Sequence, residues 1–519
     1  MSVNIKNCLV TSRANRFLIG MVIITYIVYK IHDFTEPFAY GHARWSDATF
    51  YWFGMMHLDL GYTVTKFMNV EGIMDTGELI FYKSIGPLEG VFHSFFLSIF
   101  NGSPWAVRVI PLFCTLLNFF LLANIANRFF GSKCYLYLVI LYFSCPFIIK
   151  YGSSDVGFFS IAISLGLTGW ICYLEYFLNK NSSYIYLSIM LFSIGILFNW
   201  HSAFMGLPIY FHILFGQQLI VEKIKVLTIF SLAIIVGFFS VIIHQGFVSN
   251  DFFYPLIRVM ERSKSVDGAG LSISWWDLIV RQAMRAWQYF GQIVCILVAY
   301  WLVKLVIFRG YKKIENQWVI GFIFSGIFLG FLIKNAAYNH DYLMLGFLPG
   351  VILAAVSGGL QLTEDLSKVS KKISYFIISL LLIAHLALGM KSAKYFEGQE
   401  QQDLLNGEAS VALFLEKRLT KKSILAGDFS SGYHKIADSK GVFFENLKPH
   451  LSYLTRRPVR FVESTEMLNK MRRELEGQKE IVFIQLSSGP DAGNIKVPKN
   501  WAYEIYPFDS GTVFFLKNK

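Results

Sequence analysis

The chain has 519 residues, 54% of them apolar and 16% charged, with 50 Phe, 27 Tyr and 11 Trp and a mean hydropathy of +0.47. An ordinary soluble domain carries about 25% charge, so a single soluble core, a disordered chain and a fibrous protein all describe it poorly, and the long apolar runs make it a polytopic membrane protein. The net charge of +12 needs no nucleic acid, because Lys and Arg stand in short clusters between apolar runs or mixed with acids in the tail, which is how membrane topology is written.

Near the N-terminus, basic Lys6, Arg13 and Arg16 precede the apolar run Phe17 to Ile31. No small-x-small cleavage pattern follows, so a retained first span is expected. Crossing a bilayer takes about 20 apolar residues, and the expected spans are 16–32, 105–126, 134–151, 156–178, 184–200, 202–219, 226–247, 287–308, 317–334, 342–361 and 373–391. One short segment, Leu88 to Phe100, contains Glu89 and His93 and decides the parity of all that follows. If it lies along the surface as an amphipathic helix, the clusters Arg128/Lys133, Lys180, Lys223/Lys225, Arg309/Lys312/Lys313 and Lys368/Lys371/Lys372 share the side of the basic N-terminus. Excess Lys and Arg stay cytoplasmic in short loops, which favours about 11 spans (a range of 11 to 13), the N-terminus inside and the C-terminus outside.

The fold class expected is therefore an α-helical polytopic membrane protein with outer-face juxtamembrane helices and a C-terminal soluble α/β domain. Residues 1–391 form the transmembrane part, with outer loops at 33–104 and 248–286, and residues 392–519 form the exported domain. Strands are expected at 423–429, 458–462, 480–486 and 511–516, and helices at 404–419 and 465–475. Six cysteines, Cys8, Cys114, Cys134, Cys145, Cys172 and Cys295, have no CxxC spacing, and none follows residue 295. The tail is thus expected to lack disulfides, and no zinc site is suggested.

Three outer stretches hold residues suited to chemistry. In Glu36 to Tyr62, Asp47 has two readings: a helix N-cap, or a carboxylate above the membrane that removes a proton from an acceptor hydroxyl. Asp155, in KYGSSDVGFF, likewise reads as an N-cap, with Ser153 and Ser154 as rivals, or as a second carboxylate on the same face. In Lys334 to Gly350, Lys334 reads as a snorkelling anchor and Tyr342 as a belt residue. His340 and Asp341 together at a span entrance instead suggest a water-filled cavity or a polar ligand such as a lipid phosphate. Tyr254 to Gln282 offers Arg258, Arg262 and Lys264 with Trp275 and Trp276, a segment that either meets lipid headgroups or is a solvated loop with an aromatic anchor. Lys83 poses the same choice.

The ordered series Asp47-Ala48-Thr49-Phe50-Tyr51, Tyr82 to Leu88, FNGSPWAVRVIPLF from Phe100, NRFFG, CPFIIKYGSSD and His340-Asp341-Tyr342 resembles the GT-C glycosyltransferases. The branch most similar contains the lipid A aminoarabinose transferase and the protein O-mannosyltransferases. Two features depart from that pattern: relatives often have paired acids where Ser46-Asp47 stands, and a His or Lys before Pro-Pro where this chain has Ser84-Ile85-Gly86-Pro87.

The resemblance implies an inner-membrane enzyme that moves a sugar, with inversion, from a polyprenyl-phosphate carrier to a lipid, glycan or protein acceptor on the outer face, without a cofactor or metal. Asp47 and Asp155 correspond to the catalytic carboxylates. Lys83, Arg258, His340, Asp341 and Tyr342 fall near the carrier phosphate. The alternatives are a transporter or lipid flippase, and a non-catalytic envelope-glycan assembly protein.

Overall fold

The structure is a computed structural model that describes residues 13–32, 42–73, 79–82, 86–154, 159–215, 220–249 and 272–406, a few isolated positions between them, and in the tail parts of 411–419 with 423–428, 435–438, 441–444, 459–461, 465–474, 480–486, 502–508 and 511–517. By packing, the chain forms two compact units. The first is Met1–Thr35, Ser84–Pro87 and Arg108–Phe396; the second is Glu36–Lys83, Leu88–Val107 and Glu397–Lys519.

The first unit is helical. Among the described residues, six helices are long and apolar enough to cross a membrane: Ala106–Phe130, Ser160–Asn179, Ile220–Ser249, Ile314–Leu332, Asp341–Val369 and Lys371–Phe396. A seventh span is made if the bent pair Trp275–Tyr289 and Gln292–Ile307 counts as one. Shorter apolar helices lie at Phe17–His32, Cys134–Phe143, Ser182–Phe198 and Ser202–Phe215, so each of the eleven expected segments holds a helix of one kind or the other.

Several expected spans are interrupted, each for a local reason. Residues 134–151 break into Cys134–Phe143 and Pro146–Tyr151, because Pro146 has no N–H to continue the ladder and restricts the residue before it. At Gly291, φ is +85°, a conformation that costs a side-chain-bearing residue dearly, and the chain turns by 116° between the helices on either side. The 314–332 span ends in a π-helical turn at Phe328–Leu332. A six-residue helix, Lys334–Asn339, and a 3₁₀ segment, Asp341–Phe347, follow before the helix Leu348–Val369 begins with Pro349 in its first turn.

Small residues let these helices approach closely, as membrane packing requires. A Cβ on Gly358 would lie 2.2 Å from the Leu297 carbonyl oxygen, and one on Gly350 would lie 2.6 Å from the Ile323 nitrogen. On Ile220–Ser249 many large side chains, among them Val236 and Phe239, are exposed, the surface a bilayer would cover.

The second unit joins helix His42–Leu60 to Leu88–Ile99 and to the tail. Leu88–Ile99 has 12 residues, about 18 Å of helix, too short to cross. The N-cap reading of Asp47 is corrected here: the helix already begins at His42, so Asp47 lies in its second turn, where its N–H belongs to the helical ladder and the four orphan N–H groups are behind it.

Strands β1 (Val70–Ile73) and β2 (Leu79–Phe81) form an antiparallel ribbon. In the tail, β3 (Ser423–Asp428), β6 (Val459–Phe461), β7 (Glu480–Leu486), β8 (Ala502–Phe508) and β9 (Gly511–Lys517) make a sheet in the order β6-β3-β7-β9-β8. Its β6, β3 and β7 are parallel, and β9 and β8 are added antiparallel. A separate hairpin pairs β4 (Lys435–Asp438) with β5 (Gly441–Phe444). Ala48, Tyr51, Leu97, Val107, Leu415, Val482, Ile484 and Phe515 share one buried core, so the inward side chains of β7 and β9 meet the first-loop helices.

Candidate functional site

In the first unit the sequence stretches KYG and HDY converge on one carboxylate. Asp341 opens the 3₁₀ segment and is buried. Its Oδ2 accepts hydrogen bonds from Tyr151 OH at 2.8 Å, from Lys150 Nζ at 3.2 Å, and from Tyr289 OH. Lys150 also donates to Tyr289 OH at 3.1 Å. Its ammonium lies 4.8, 5.2 and 5.3 Å from the ring centroids of Tyr151, Tyr289 and Phe396. A desolvated charge needs a counter-charge and hydrogen bonds to be tolerated; here the carboxylate, the phenols and the aromatic faces supply them.

The segment before Asp341 is held by its backbone. Gln282 donates to the carbonyls of Ala337 at 2.9 Å and Gly330 at 3.2 Å. Arg285 donates to those of Ala337 at 2.5 Å, Tyr338 at 3.0 Å and His340 at 3.5 Å. These are the orphan carbonyls that a helix end leaves. Both donors sit on helix Trp275–Tyr289, which starts at a capping box made by Ser274 and Asp277. His340 stacks on Tyr342 at 5.0 Å, and Arg281 covers the Tyr338 ring at 4.0 Å. Lys334 is buried with its ammonium 4.7 Å from the Trp275 ring centroid.

In the second unit, Asp47 is fully buried between Ser46 and Ala48 on helix His42–Leu60. The same helix carries Phe50, stacked on His93 at 5.3 Å, and His57, whose Nδ1 lies 2.7 Å from Thr65 Oγ1. Thr65 Oγ1 is within hydrogen-bond distance of the Gly61 and Tyr62 carbonyls, so the arrangement that uses every proton has His57 Nδ1–H donating to Thr65. Burial pushes the His57 imidazole down to about 4. His93 Nε2 lies 3.7 Å from Glu89 Oε2, one helical turn away, and both side chains are inaccessible to solvent. Among the described residues, no group of three or more His, Cys, Asp or Glu side chains is arranged to hold a metal ion.

Of the residues singled out in the sequence, Asp341 comes together with Lys150 and Tyr151, His340 and Tyr342 stack on each other beside it, and Asp47 belongs to the other unit. Asp155, Lys83 and Arg258 lie outside the described residues. Sequence reasoning missed Lys150, Tyr289, Gln282 and Arg285. Lys150 and Tyr151 stood in the KYG stretch already noted, and Gln282, Arg285 and Tyr289 recur at helical spacing on one face, which is the signal that could have found them.

Residues 85–244 match the family model "Dolichyl-phosphate-mannose-protein mannosyltransferase". No curated protein matches the chain. Among solved structures, the ArnT of Cupriavidus metallidurans in the apo state aligns with a TM-score of 0.65 at 9% identity, over 97% of this chain and 98% of that one. The same ArnT bound to undecaprenyl phosphate aligns with a TM-score of 0.64 at 10% identity, over 98% of each. The family model covers the KYG stretch and the helices around it, and the likeness in fold runs through both units. The resemblance to GT-C glycosyltransferases read from the sequence is thereby shown, and the fold of this chain is that of ArnT.

Proposed function

We propose that the protein is an integral-membrane glycosyltransferase that moves a sugar from a polyprenyl-phosphate carrier to an acceptor on the outer face of the membrane, with inversion. The observation that carries this reading is the full-length likeness in fold to an ArnT whose structure holds undecaprenyl phosphate, joined to the mannosyltransferase match over 85–244. On this reading the protein sits in the inner membrane, with a cytoplasmic N-terminus and an extracytoplasmic tail, as its Lys and Arg pattern suggests.

In the reaction, the acceptor oxygen forms a bond to the anomeric carbon as the bond from that carbon to the phosphate oxygen breaks. The acceptor proton passes to Asp47, Asp155 is the second carboxylate, and the electron pair of the broken bond leaves with the polyprenyl phosphate. The leaving group is already anionic, so fixed cations and donors near it matter more than protonation. Lys83, Arg258, His340 and Tyr342 are assigned to that phosphate. Asp341 is assigned to the same region, where its own negative charge suits it to hold Lys150 in place. No cofactor or metal enters this scheme, the acceptor is a lipid, glycan or protein, and nucleic acid is not a partner.

The test is incubation of the purified protein with a labelled polyprenyl-phosphate sugar and candidate acceptors. Acceptor-dependent loss of donor supports the proposal. Movement of the lipid across vesicles without loss of donor would indicate a flippase, and binding without turnover would indicate an assembly scaffold. Asp47→Asn is expected to slow transfer by about 10²- to 10⁴-fold, the usual worth of general-base help, at unchanged protein amount. A change of only a few-fold removes Asp47 from the role of base.

A further inference from the structure

We propose that Arg285 is a positioning residue that couples a membrane-lying helix to the phosphate end of the site. The inference rests on the functional reading above. The segment from Lys334 to Phe347 is irregular: a π-helical turn precedes it, its helix has only six residues, and a 3₁₀ stretch follows. Such a run sets its own geometry poorly, because the last carbonyls of a short helix have no intrahelical partners. Arg285 supplies them, spreading one guanidinium over the carbonyls of Ala337, Tyr338 and His340. Gln282, one turn earlier, holds Ala337 and Gly330, and Tyr289, one turn later, holds the Asp341 carboxylate.

Three side chains on one face of helix Trp275–Tyr289 thus grip successive pieces of the stretch from Gly330 to Asp341. The guanidinium suits this work, since its planar fork reaches several oxygens at once and stays charged. The rest of the helix fixes where that grip sits. Trp276, Ile279, Val280, Met284 and Trp287 are exposed, and the chain turns by 116° at Gly291 into the apolar helix Gln292–Ile307. An amphipathic helix with exposed tryptophans, joined at a sharp bend to a span, lies in the headgroup region. The backbone of the mouth is therefore referenced to the membrane surface through Arg285.

The experiment compares wild type, Arg285→Ala, Arg285→Lys and Gln282→Leu, purified in the same lipid nanodiscs. Hydrogen exchange of the amides in 334–347 is measured alongside binding of polyprenyl phosphate and the kinetics of sugar transfer. Arg285→Ala is expected to speed exchange in that segment while helix Leu348–Val369 stays protected. It should weaken polyprenyl-phosphate binding about tenfold and raise the donor KM more than it lowers kcat, as misplacement of a binding group does. Arg285→Lys, with one charged head in place of the fork, should recover part of both effects. Gln282→Leu, a milder lesion that frees the shared Ala337 carbonyl and that of Gly330, keeps the test open if Arg285→Ala does not fold, and should shift exchange and binding in the same direction. Faster exchange with unchanged phosphate binding would overturn the positioning role, as would unchanged exchange. Failure of the wild type to bind polyprenyl phosphate would instead overturn the functional reading, whatever the variants do.

Discussion

Burial of His57 beside Thr65 pushes its imidazole down to about 4, whereas in the unfolded chain the same ring takes up a proton near 6.5. Between those values the unfolded state binds more protons, so stability rises with pH across the window. The contribution of neutral His57 is complete above about pH 6.5 and is lost as pH falls toward 4, up to about 3 kcal/mol. Thermal unfolding of the wild type should therefore show a midpoint that drops between pH 6.5 and 4.5, and His57→Gln should flatten that slope. An unchanged slope would assign the loss to other groups. Asp47, one face of the same helix away, shows what a sequence can and cannot give at this scale. An acidic residue before an aromatic helical run was readable, but its place in the helix was not, because the start at His42 has no Ser, Thr, Asn or Asp immediately before it to mark it.

Pairs of helices in the first unit meet where glycines let backbone touch backbone. At Gly358 a Cβ would lie 2.2 Å from the Leu297 carbonyl oxygen and 3.3 Å from Trp301 Cβ, and the atom in the way is main chain, which cannot rotate aside. Gly358→Val is expected to cost at least 1–3 kcal/mol by overpacking, read as a fall of several degrees in the thermal midpoint in detergent. Gly20→Ala, where no atom of the described residues lies within 4 Å, should leave it unchanged or slightly higher, Ala being the better helix former. An equal response of the two variants would mean that the close approach is not tight. Strands tell a similar story about legibility. Continuous apolar runs made β3, β7 and β9 readable within a residue or two, since a strand in the middle of a sheet is buried on both faces. Strand β8, AYEIYPF, carries Glu504 and Pro507, and at the sheet edge such residues are tolerated, so no apolar run announced it. The Lys150–Tyr289–Asp341 cluster was invisible for another reason: its members are 139 and 191 residues apart in the Lys150 pairings, and only the packing of helices brings them together.

For the molecule as a whole, the charge pattern makes a prediction about sides. Lys313 and Lys470 are both exposed, and the topology read from Lys and Arg puts the first inside and the second outside. In intact cells, Lys470→Cys should react with a membrane-impermeant maleimide, while Lys313→Cys should react only after the membrane is opened. The reverse pattern would invert the orientation. Legibility at this scale was uneven. Apolar runs gave each helical segment its place, but a linear division at residue 391 gave no sign that 36–83 and 88–107 pack with 397–519 in one unit. That grouping depends on which surfaces fit, and apolar side chains such as Ala48, Tyr51 and Leu97 look alike in sequence whether they cover lipid or a sheet.

The shared core of the second unit also sets an order of events in synthesis. Ala48, Tyr51, Leu97 and Val107 leave the ribosome roughly three hundred to more than four hundred residues before Val411, Val482, Ile484, Val513 and Phe515, with which they form one buried cluster. Contacts so distant along the chain form late and slowly. Throughout insertion of the intervening helices, the part of the first-loop helix face that meets the tail must wait uncovered, and β9, the last of the described strands to be made, completes the cluster. A chain stopped near residue 400 would thus carry every membrane-length helix found among the described residues and still display an unfinished, adhesive surface; the tail strands act as the quality seal on the first-loop helices.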